Sequence, residues 1–289
     1  MTRSLAGTLF VVATPIGNLE DITLRALRIL KEVDLVAAED TRRTGNLLRH
    51  YDVHTPLLSL HEHNEHHRGD ALVKRLLAGE SIAVVSDAGT PGISDPGARL
   101  VLAARLAGVR VDPIPGPSAI TAILSASGLS LERFAFAGFP PIKAKARKLW
   151  FQWLEKLADT PIVCFEAPHR VHRTLKELAS ISGNRPIIVG RELTKLHEQW
   201  TFMAGGTLPE QLPDARGEFV LVIGPAIETA ELSGIASDAE VALLFGQITN
   251  YGTSSRRDAI KCVADRLNLA PKAVYAALER AKSAAERIG

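Results

Sequence analysis

Residues 83–97 read AVVSDAGTPGISDPG, an apolar run that breaks into Gly89, Thr90, Pro91 and Gly92 and closes on Asp95-Pro96-Gly97. A β-strand delivering a glycine-rich loop accounts for this pattern. Gly89 and Gly92 permit positive φ and let a ligand approach bare backbone, while Pro91 stiffens the turn. Asp95-Pro96 predicts a helix N-cap followed by Pro at the first helical position. The run fits neither the G-x-G-x-x-G dinucleotide loop nor the G-x-x-x-x-G-K-[ST] phosphate loop. Standing alone, it could equally be an ordinary strand-to-helix turn.

It does not stand alone. Leu9 to Ala13 runs into Thr14-Pro15-Ile16-Gly17-Asn18, and Val109 to Ile114 runs into Pro115-Gly116-Pro117-Ser118-Ala119. In an α/β domain the loops at the carboxyl ends of neighbouring parallel strands gather at one edge of the sheet, where ligands bind. Three strand ends of one kind predict one composite pocket.

Outward from these loops, residues 9–128 alternate short β-rich runs (LFVVA, DLVAAE, PLLSL, SIAVVSD, VRVDPIP) with amphipathic helical stretches, which predicts a parallel sheet wrapped by helices. The first helix is expected to begin near Asp21. The second run ends in Glu39-Asp40-Thr41-Arg42-Arg43, either a capped, solvated helix start or a substrate-facing cluster whose arginines meet phosphate. The third leads to His61-Glu62-His63-Asn64-Glu65-His66-His67. No second cluster and no cysteine completes a metal-ligand set, so this stretch predicts a polar loop that caps a helix from about Glu65 to Ala78 and offers hydrogen bonds to a substrate, with no metal.

Near Gly128 the character changes. Phe134, Phe136 and Phe139 alternate as in a strand. Pro140-Pro141 then opens a basic loop with Lys143, Lys145, Arg147 and Lys148, which is either solvated helix charge or a phosphate-contacting surface. The helix after it is expected to bury Leu149, Trp150, Trp153, Leu154 and Leu157. PIVCFEAPHR, PIIVGRELTKLHE, EQWTFMAGG and GEFVLVIGP then follow with few helices between them, predicting a second α/β domain of partly antiparallel order. Its polar strand ends, Glu166 to Arg170 and Arg191 to Thr194, are expected to face the first domain across a cleft. After a linker from Pro225 to Gly234, three helical stretches follow, and SSRRDAIKCVADRLNLAPKAVYAALERA reads as a helix-turn-helix or a dimer-supporting cap, its last helix opening at Pro271. The expected domains are 1–128, 129–226 and 235–289.

Composition sets outer bounds. The chain has 289 residues, 46% hydrophobic and 23% charged, enough for two compact domains and a small third. Its 34 basic and 32 acidic residues nearly balance, and residues 231–289 carry eight Lys plus Arg against seven Asp plus Glu. Affinity for a polyanion must therefore come from a local patch. Cys164 and Cys262, each in an apolar context, fit free thiols of a reducing compartment. No apolar run approaches a membrane span, so a cytoplasmic protein with no membrane partner is expected.

In order, ATPIGNLEDIT, AEDTR, HEHNE, SDAGTPGISDPG, IPGPSAITA, FEAPHR and RELTKLHE resemble the ribosomal RNA small subunit 2'-O-ribose methyltransferase family, within the tetrapyrrole methylases. The similarity spans residues 8–225 and a tail like the one this family carries. Related precorrin and diphthine methylases look similar at the first and third loops but carry a GDP-like tripeptide where this chain has Gly89-Thr90-Pro91. The resemblance implies S-adenosylmethionine bound in a cleft between two α/β domains, plus a small helical C-terminal domain. It implies methylation of a cytidine ribose in the decoding region of 16S rRNA within the small ribosomal subunit, by an enzyme expected to act as a homodimer. Cofactor contacts carried over by position are Ile16, Thr90, Ile93, Ser118, Ala119, Ala167 and Leu193. The general base is open among Glu39, Asp40, Asp87 and Glu166, with His61 or His169 behind them. RNA contacts are expected from Arg42, Arg43, His61, Asn64, Lys143, Lys145, Arg147 and Lys148. The rival readings are a precorrin-type C-methyltransferase and a non-catalytic RNA-binding protein.

Overall fold

The computed structural model describes residues 6–203, 206, 214–226, 241–242, 244–245, 256–267 and 269–285. Residues to Ala226 form one compact unit and those from Ile227 a second.

In the first unit, strands β1 (Thr8–Val12), β2 (Leu35–Ala38), β3 (Leu57–Ser59), β4 (Ile82–Val85) and β5 (Arg110–Ile114) form a parallel sheet of order β3-β2-β4-β1-β5. Helices α1 (Leu24–Glu32), α2 (Thr41–His50), α3 (Glu65–Leu77) and α4 (Ala98–Leu106) connect them. Burial explains the parallel choice: Leu35 and Ala37 pack with α3 and α4 residues such as Leu72 and Leu100, while Val36 and Ala38 pack with Ile29, Leu30 and Leu48 of α1 and α2. A strand buried on both faces reads as a continuous apolar run. After β1 the chain crosses toward β2; after β4 it crosses over β1 to β5. The carboxyl ends of β1 and β4 therefore flank the point where winding reverses, the usual place for a ligand.

After α5 (Ala119–Ser125) comes a second sheet of order β6-β7-β10-β8-β9, built from β6 (Ala135–Phe136), β7 (Ile162–Glu166), β8 (Ile187–Arg191), β9 (Gln199–Met203) and β10 (Phe219–Ile223). Only β6 and β7 are parallel; the other pairs are antiparallel, as expected. One face is covered by α6 (Ala144–Lys156) and α7 (Pro168–Ile181), through Leu154, Val171, Leu175 and Leu178. The other carries Val163, Ile188, Val220 and Val222, which pack on Ile120, Ile123 and Leu124 of α5 and on Ile16. This shared apolar layer joins the two sheets.

Three local readings change. The first helix starts at Leu24, where the Thr23 hydroxyl accepts the Ala26 N–H at 3.1 Å; the stretch around Asp21 is instead a 3₁₀ turn, Leu19–Asp21, capped by Asn18. Asp95 does not cap α4. Gly97, at φ 117°, opens that helix, and the carboxylate of Glu65 accepts the N–H groups of Gly97, Arg99 and Leu100 at 3.0, 3.1 and 3.2 Å. A buried acid from α3 thus does the capping across space. On α6, Leu149 is 58% and Trp153 39% exposed, so the buried stripe runs through Arg147, Trp150, Phe151 and Leu154.

The second unit's described helices are α8 (Arg256–Leu267) and α9 (Pro271–Ala285), which opens at the expected proline. They share a small core of Val241, Val263, Ala264, Val274 and Ala277, and Arg256 pairs with Glu279 at 3.3 Å. The linker expected at 225–234 lies outside the described residues beyond Ala226.

Candidate active site

The three glycine- and proline-rich loops are laced together at the strand ends. Thr14 and Gly89 exchange backbone hydrogen bonds at 2.9 and 3.0 Å, the Thr14 hydroxyl donates to the Ser86 carbonyl at 3.1 Å, and the Thr90 hydroxyl donates to the Pro117 carbonyl at 3.4 Å. Gly89 holds φ 81°, and a Cβ there would lie 3.4 Å from Ile16 Cγ2. The loops form one side of a cavity of about 350 Å³. Ile16, residues 88–90, residues 93–95 and residues 118–120 line it from the first sheet. Phe139, residues 165–168 and residues 217–220 line it from the second.

The lining is selective in charge. Among the described residues it holds three acids, Asp95, Glu166 and Glu218, and no Lys, Arg or His. Apolar walls with few polar groups suit a small organic ligand, for which pockets run roughly 300–1,000 Å³, and acids without bases suit one that is cationic. A second cavity, of about 400 Å³, lies between Thr14, Pro15, α2 residues Arg43, Thr44 and His50, and Ser86-Asp87.

The acids differ in what holds them. Glu166, with a fully buried side chain, ion-pairs with Arg170 at 2.7 Å and accepts the Ala167 N–H at 2.8 Å and the Thr174 hydroxyl. Asp40 caps α2 by accepting the Arg42 N–H at 2.8 Å and is clasped by the Arg42 guanidinium at 2.7 Å, which holds its carboxyl well below the usual range. Asp87 accepts the Asp40 N–H at 3.0 Å and pairs with Arg43 at 3.3 Å. Glu39 accepts the Asp87 N–H at 3.2 Å, and its carboxyl is pushed up chiefly by burial, with Asp87 and Asp40 adding repulsion. Asp95 is pushed up to about 6 by burial first and then by the charges of Glu39 and Asp87, opposed by a hydrogen bond from Ser86.

Of the cofactor contacts expected from sequence, Ile16, Thr90, Ile93, Ser118, Ala119 and Ala167 all line the first cavity. Leu193 does not; it is buried behind the cavity with Ile16, Ile123 and Val220. Of the expected bases, only Glu166 lines it, while Glu39, Asp40 and Asp87 sit together at the ends of β2 and β4. Asp95 was read only as a helix cap; its place one loop-length beyond Gly89 and Thr90 was the available signal. Phe139, Phe165 and residues 217–220 carry no loop motif and read from sequence only as strand positions, so the folded arrangement alone turns them toward the cavity.

The expected RNA contacts separate likewise. Arg42, Arg43, Lys143, Lys145 and Lys148 are exposed. Arg147 is not: its side chain is 5% exposed, pairs with Glu177, donates to the Thr174 hydroxyl at 2.7 Å and lies over the Phe151 ring. The periodicity of α6 turns it inward, so it is a core residue and no phosphate contact. Asn64 accepts the His61 N–H at 2.9 Å, and His61 Nδ1 is buried without a partner among the described residues. His63, His66, His67 and His169 are exposed.

Comparison with known proteins agrees with this architecture. The family model described as Tetrapyrrole (Corrin/Porphyrin) Methylases matches residues 8–209. A protein of Xylella fastidiosa named ribosomal RNA small subunit methyltransferase I is 48% identical over 232 residues, covering 78% of this chain and 84% of that one. Proteins of the same name from Halalkalibacterium halodurans and Pseudomonas aeruginosa are 48% and 50% identical, covering 80% and 67% of this chain and 81% and 68% of theirs. Among solved structures, a diphthine synthase superposes with a TM-score of 0.59 at 16% identity, covering 75% of this chain and 90% of that one. A uroporphyrin-III-C-methyltransferase from Thermus thermophilus superposes at 0.53 and 22% identity, covering 79% and 98%. At these identities the two structures share the fold alone.

Proposed function

This chain belongs to the tetrapyrrole (corrin/porphyrin) methylase family, and on that premise we propose that it transfers a methyl group from S-adenosylmethionine to a cytidine ribose 2'-hydroxyl in the RNA of the small ribosomal subunit. The observation that carries the cofactor is the cavity: apolar and backbone-lined, with three acids and no base among the described residues, it matches a ligand whose reactive centre is a sulfonium cation. The names of the relatives favour RNA as acceptor.

Ile16, Ile93, Ala119 and Ala167 would hold the apolar parts of the cofactor, and Thr90 and Ser118 would offer hydroxyls, with Leu193 supporting Ile16 from behind. When bound, S-adenosylmethionine supplies an electrophilic methyl group. The protein's task is then to position a hydroxyl in line with it, exclude water and take up a proton. Exposed Arg42, Arg43, Lys143, Lys145 and Lys148 would engage phosphates, with Asn64 and His61 near the approach. The division of labour follows the domains we propose, 1–128 and 129–226 around the cavity and 235–289 as a helical tail, in a homodimer of the cytoplasm. Among the described residues no helix is long and apolar enough to cross a membrane.

The test is label transfer. Purified protein and cofactor labelled in the methyl group are incubated with assembled small subunits, with free 16S rRNA and with a tetrapyrrole acceptor. Label in small-subunit RNA, mapped to one cytidine ribose, is expected; label in the tetrapyrrole, or none anywhere, overturns the reading.

A further inference from the structure

We infer that the second cavity, between the end of β1 and helix α2, takes the base of the acceptor cytidine turned out of its RNA, and that the Arg43–Asp87 pair reads its edge. This rests on the methyltransferase reading above. The cavity, of about 400 Å³, lies in the range of small-ligand pockets, and none of the proposed cofactor contacts falls in it. It abuts the first: Pro15 lines the second and Ile16 the first, Asp87 the second and Ala88 the first. A base held there leaves its ribose, one glycosidic bond away, at the wall the two cavities share.

Helix α2 is patterned for a ligand on this side. Arg43, Asn46, Leu47 and His50 fall at i, i+3, i+4 and i+7, one stripe of the helix, and all four line the cavity. Three of the four are polar, whereas a stripe that packs on core is apolar. Pro15, Leu19 and Leu47 supply apolar surface of the kind on which a flipped base packs. This lining is held in place. The Tyr51 hydroxyl donates to the Leu19 carbonyl at 2.5 Å, Asn18 caps the Leu19–Asp21 turn, and the Thr14 hydroxyl donates to the Ser86 carbonyl at 3.1 Å.

The polar groups select the base. Asp87 Oδ1 accepts the Asp40 N–H at 3.0 Å and Oδ2 pairs with Arg43 Nη1 at 3.3 Å, so a carboxylate and a guanidinium stand side by side at the cavity. Together they offer an acceptor followed by donors. Cytosine's pairing edge is the complement, an N4 amino donor followed by the N3 and O2 acceptors, and a carboxylate is a usual partner of that amino group. Uracil carries an acceptor at position 4 and a donor at N3, so the same pair would meet it acceptor to acceptor and donor to donor. Asn46 Oδ1 accepts from Arg49 at 3.0 Å, which leaves the amide N–H₂ to donate to O2, an atom adenine lacks. Arg43 has N–H groups enough for a phosphate besides the base, and exposed Arg42 serves phosphate alone.

The experiment uses small subunits assembled from 16S RNA transcribed with cytidine or with uridine at the position that takes the label. Wild type, Asp87→Asn and Arg43→Gln are compared in equilibrium binding to both forms, which needs no chemistry, and in single-turnover methylation at saturating cofactor. Wild type should favour the cytidine form by roughly 5- to 150-fold, the discrimination one bidentate base contact gives. Asp87→Asn exchanges a carboxylate oxygen for an N–H₂ donor of the same shape. It should lose most of that ratio, and calorimetry should show S-adenosylmethionine affinity unchanged. A merely structural role for the pair would weaken both forms alike and keep the ratio. Arg43 is 66% exposed at its side chain and tolerates Gln, so that variant decides the same ratio if Asp87→Asn does not fold. If wild type deposits no label in RNA, the methyltransferase reading falls and this inference with it. If wild type labels RNA but binds and methylates the uridine form equally well, or if the variants keep the wild-type ratio, only the assignment of the second cavity falls.

Discussion

The two sheets meet at one cavity but supply it in opposite ways. The parallel sheet offers loops, in which Gly89, Thr90 and Pro117 present backbone and short hydroxyls and the acid Asp95 stands among like charges. The antiparallel sheet offers a finished surface, where Phe165 and Phe219 are wall and the acid Glu166 is saturated by Arg170 and Thr174. Of the three carboxylates that border this space, Glu166 and Glu218 are paired and Asp95 is surrounded by its own kind. A carboxylate bound by a guanidinium and a hydroxyl serves structure, because its lone pairs are occupied; one flanked by carboxylates is free to exchange a proton.

Replacing Glu166 probes this contrast hardest. Glu166→Ala leaves the Arg170 guanidinium short of its partner beside Thr174 and Arg147, and unpairing a buried charge costs about 3–5 kcal/mol. Chemical denaturation should show that loss, and a variant as stable as wild type would reduce the second sheet's acid to a surface ion pair. On the loop side, Thr90→Arg puts a long cation into a cavity that has none among the described residues. Calorimetry should show S-adenosylmethionine affinity down by at least about 100-fold, roughly 2.8 kcal/mol, with the melting temperature near wild type; unchanged binding would place the cofactor elsewhere.

Glu65 tests whether the loop must be held. Glu65→Ala strips three N–H groups at the start of α4 of their acceptor and should cost about 1–3 kcal/mol, with raised hydrogen exchange over residues 89–100. Exchange confined to α3 would show that the loop is rigid without its anchor. The smallest effect is expected from the exposed lysines of the second half. Changing Lys143, Lys145 and Lys148 together to Ala should flatten the slope of log RNA affinity against log salt by up to about 2, at roughly 0.7 per phosphate, and leave cofactor binding untouched. Arg147 is kept in that variant because it is core.

The strands of the first sheet and the three loops were legible because each depends on a short local pattern, an apolar run stopped by Gly and Pro. The antiparallel character of the second sheet was legible too, from strands following one another with few helices between. What misled were positions whose role depends on the partner across space. Arg147 belongs to a charged run by sequence, yet one turn of α6 carries it under Glu177 and Thr174. Asp95 has the spacing of a helix cap, yet Glu65, thirty residues earlier, provides the cap.

By itself, then, the sequence determined the two kinds of sheet, the loop chemistry and a family resemblance, since these follow from backbone preferences and apolar periodicity over a few residues. Only the tertiary structure decided which acid is paired and which is not, because a carboxyl's proton affinity is set by burial and by charges within a few ångströms. Those charges are Glu39 on β2's end and Asp87 on β4's end, which come beside Asp95 only after folding, and Arg170, four residues beyond Glu166, which α7 turns back onto it.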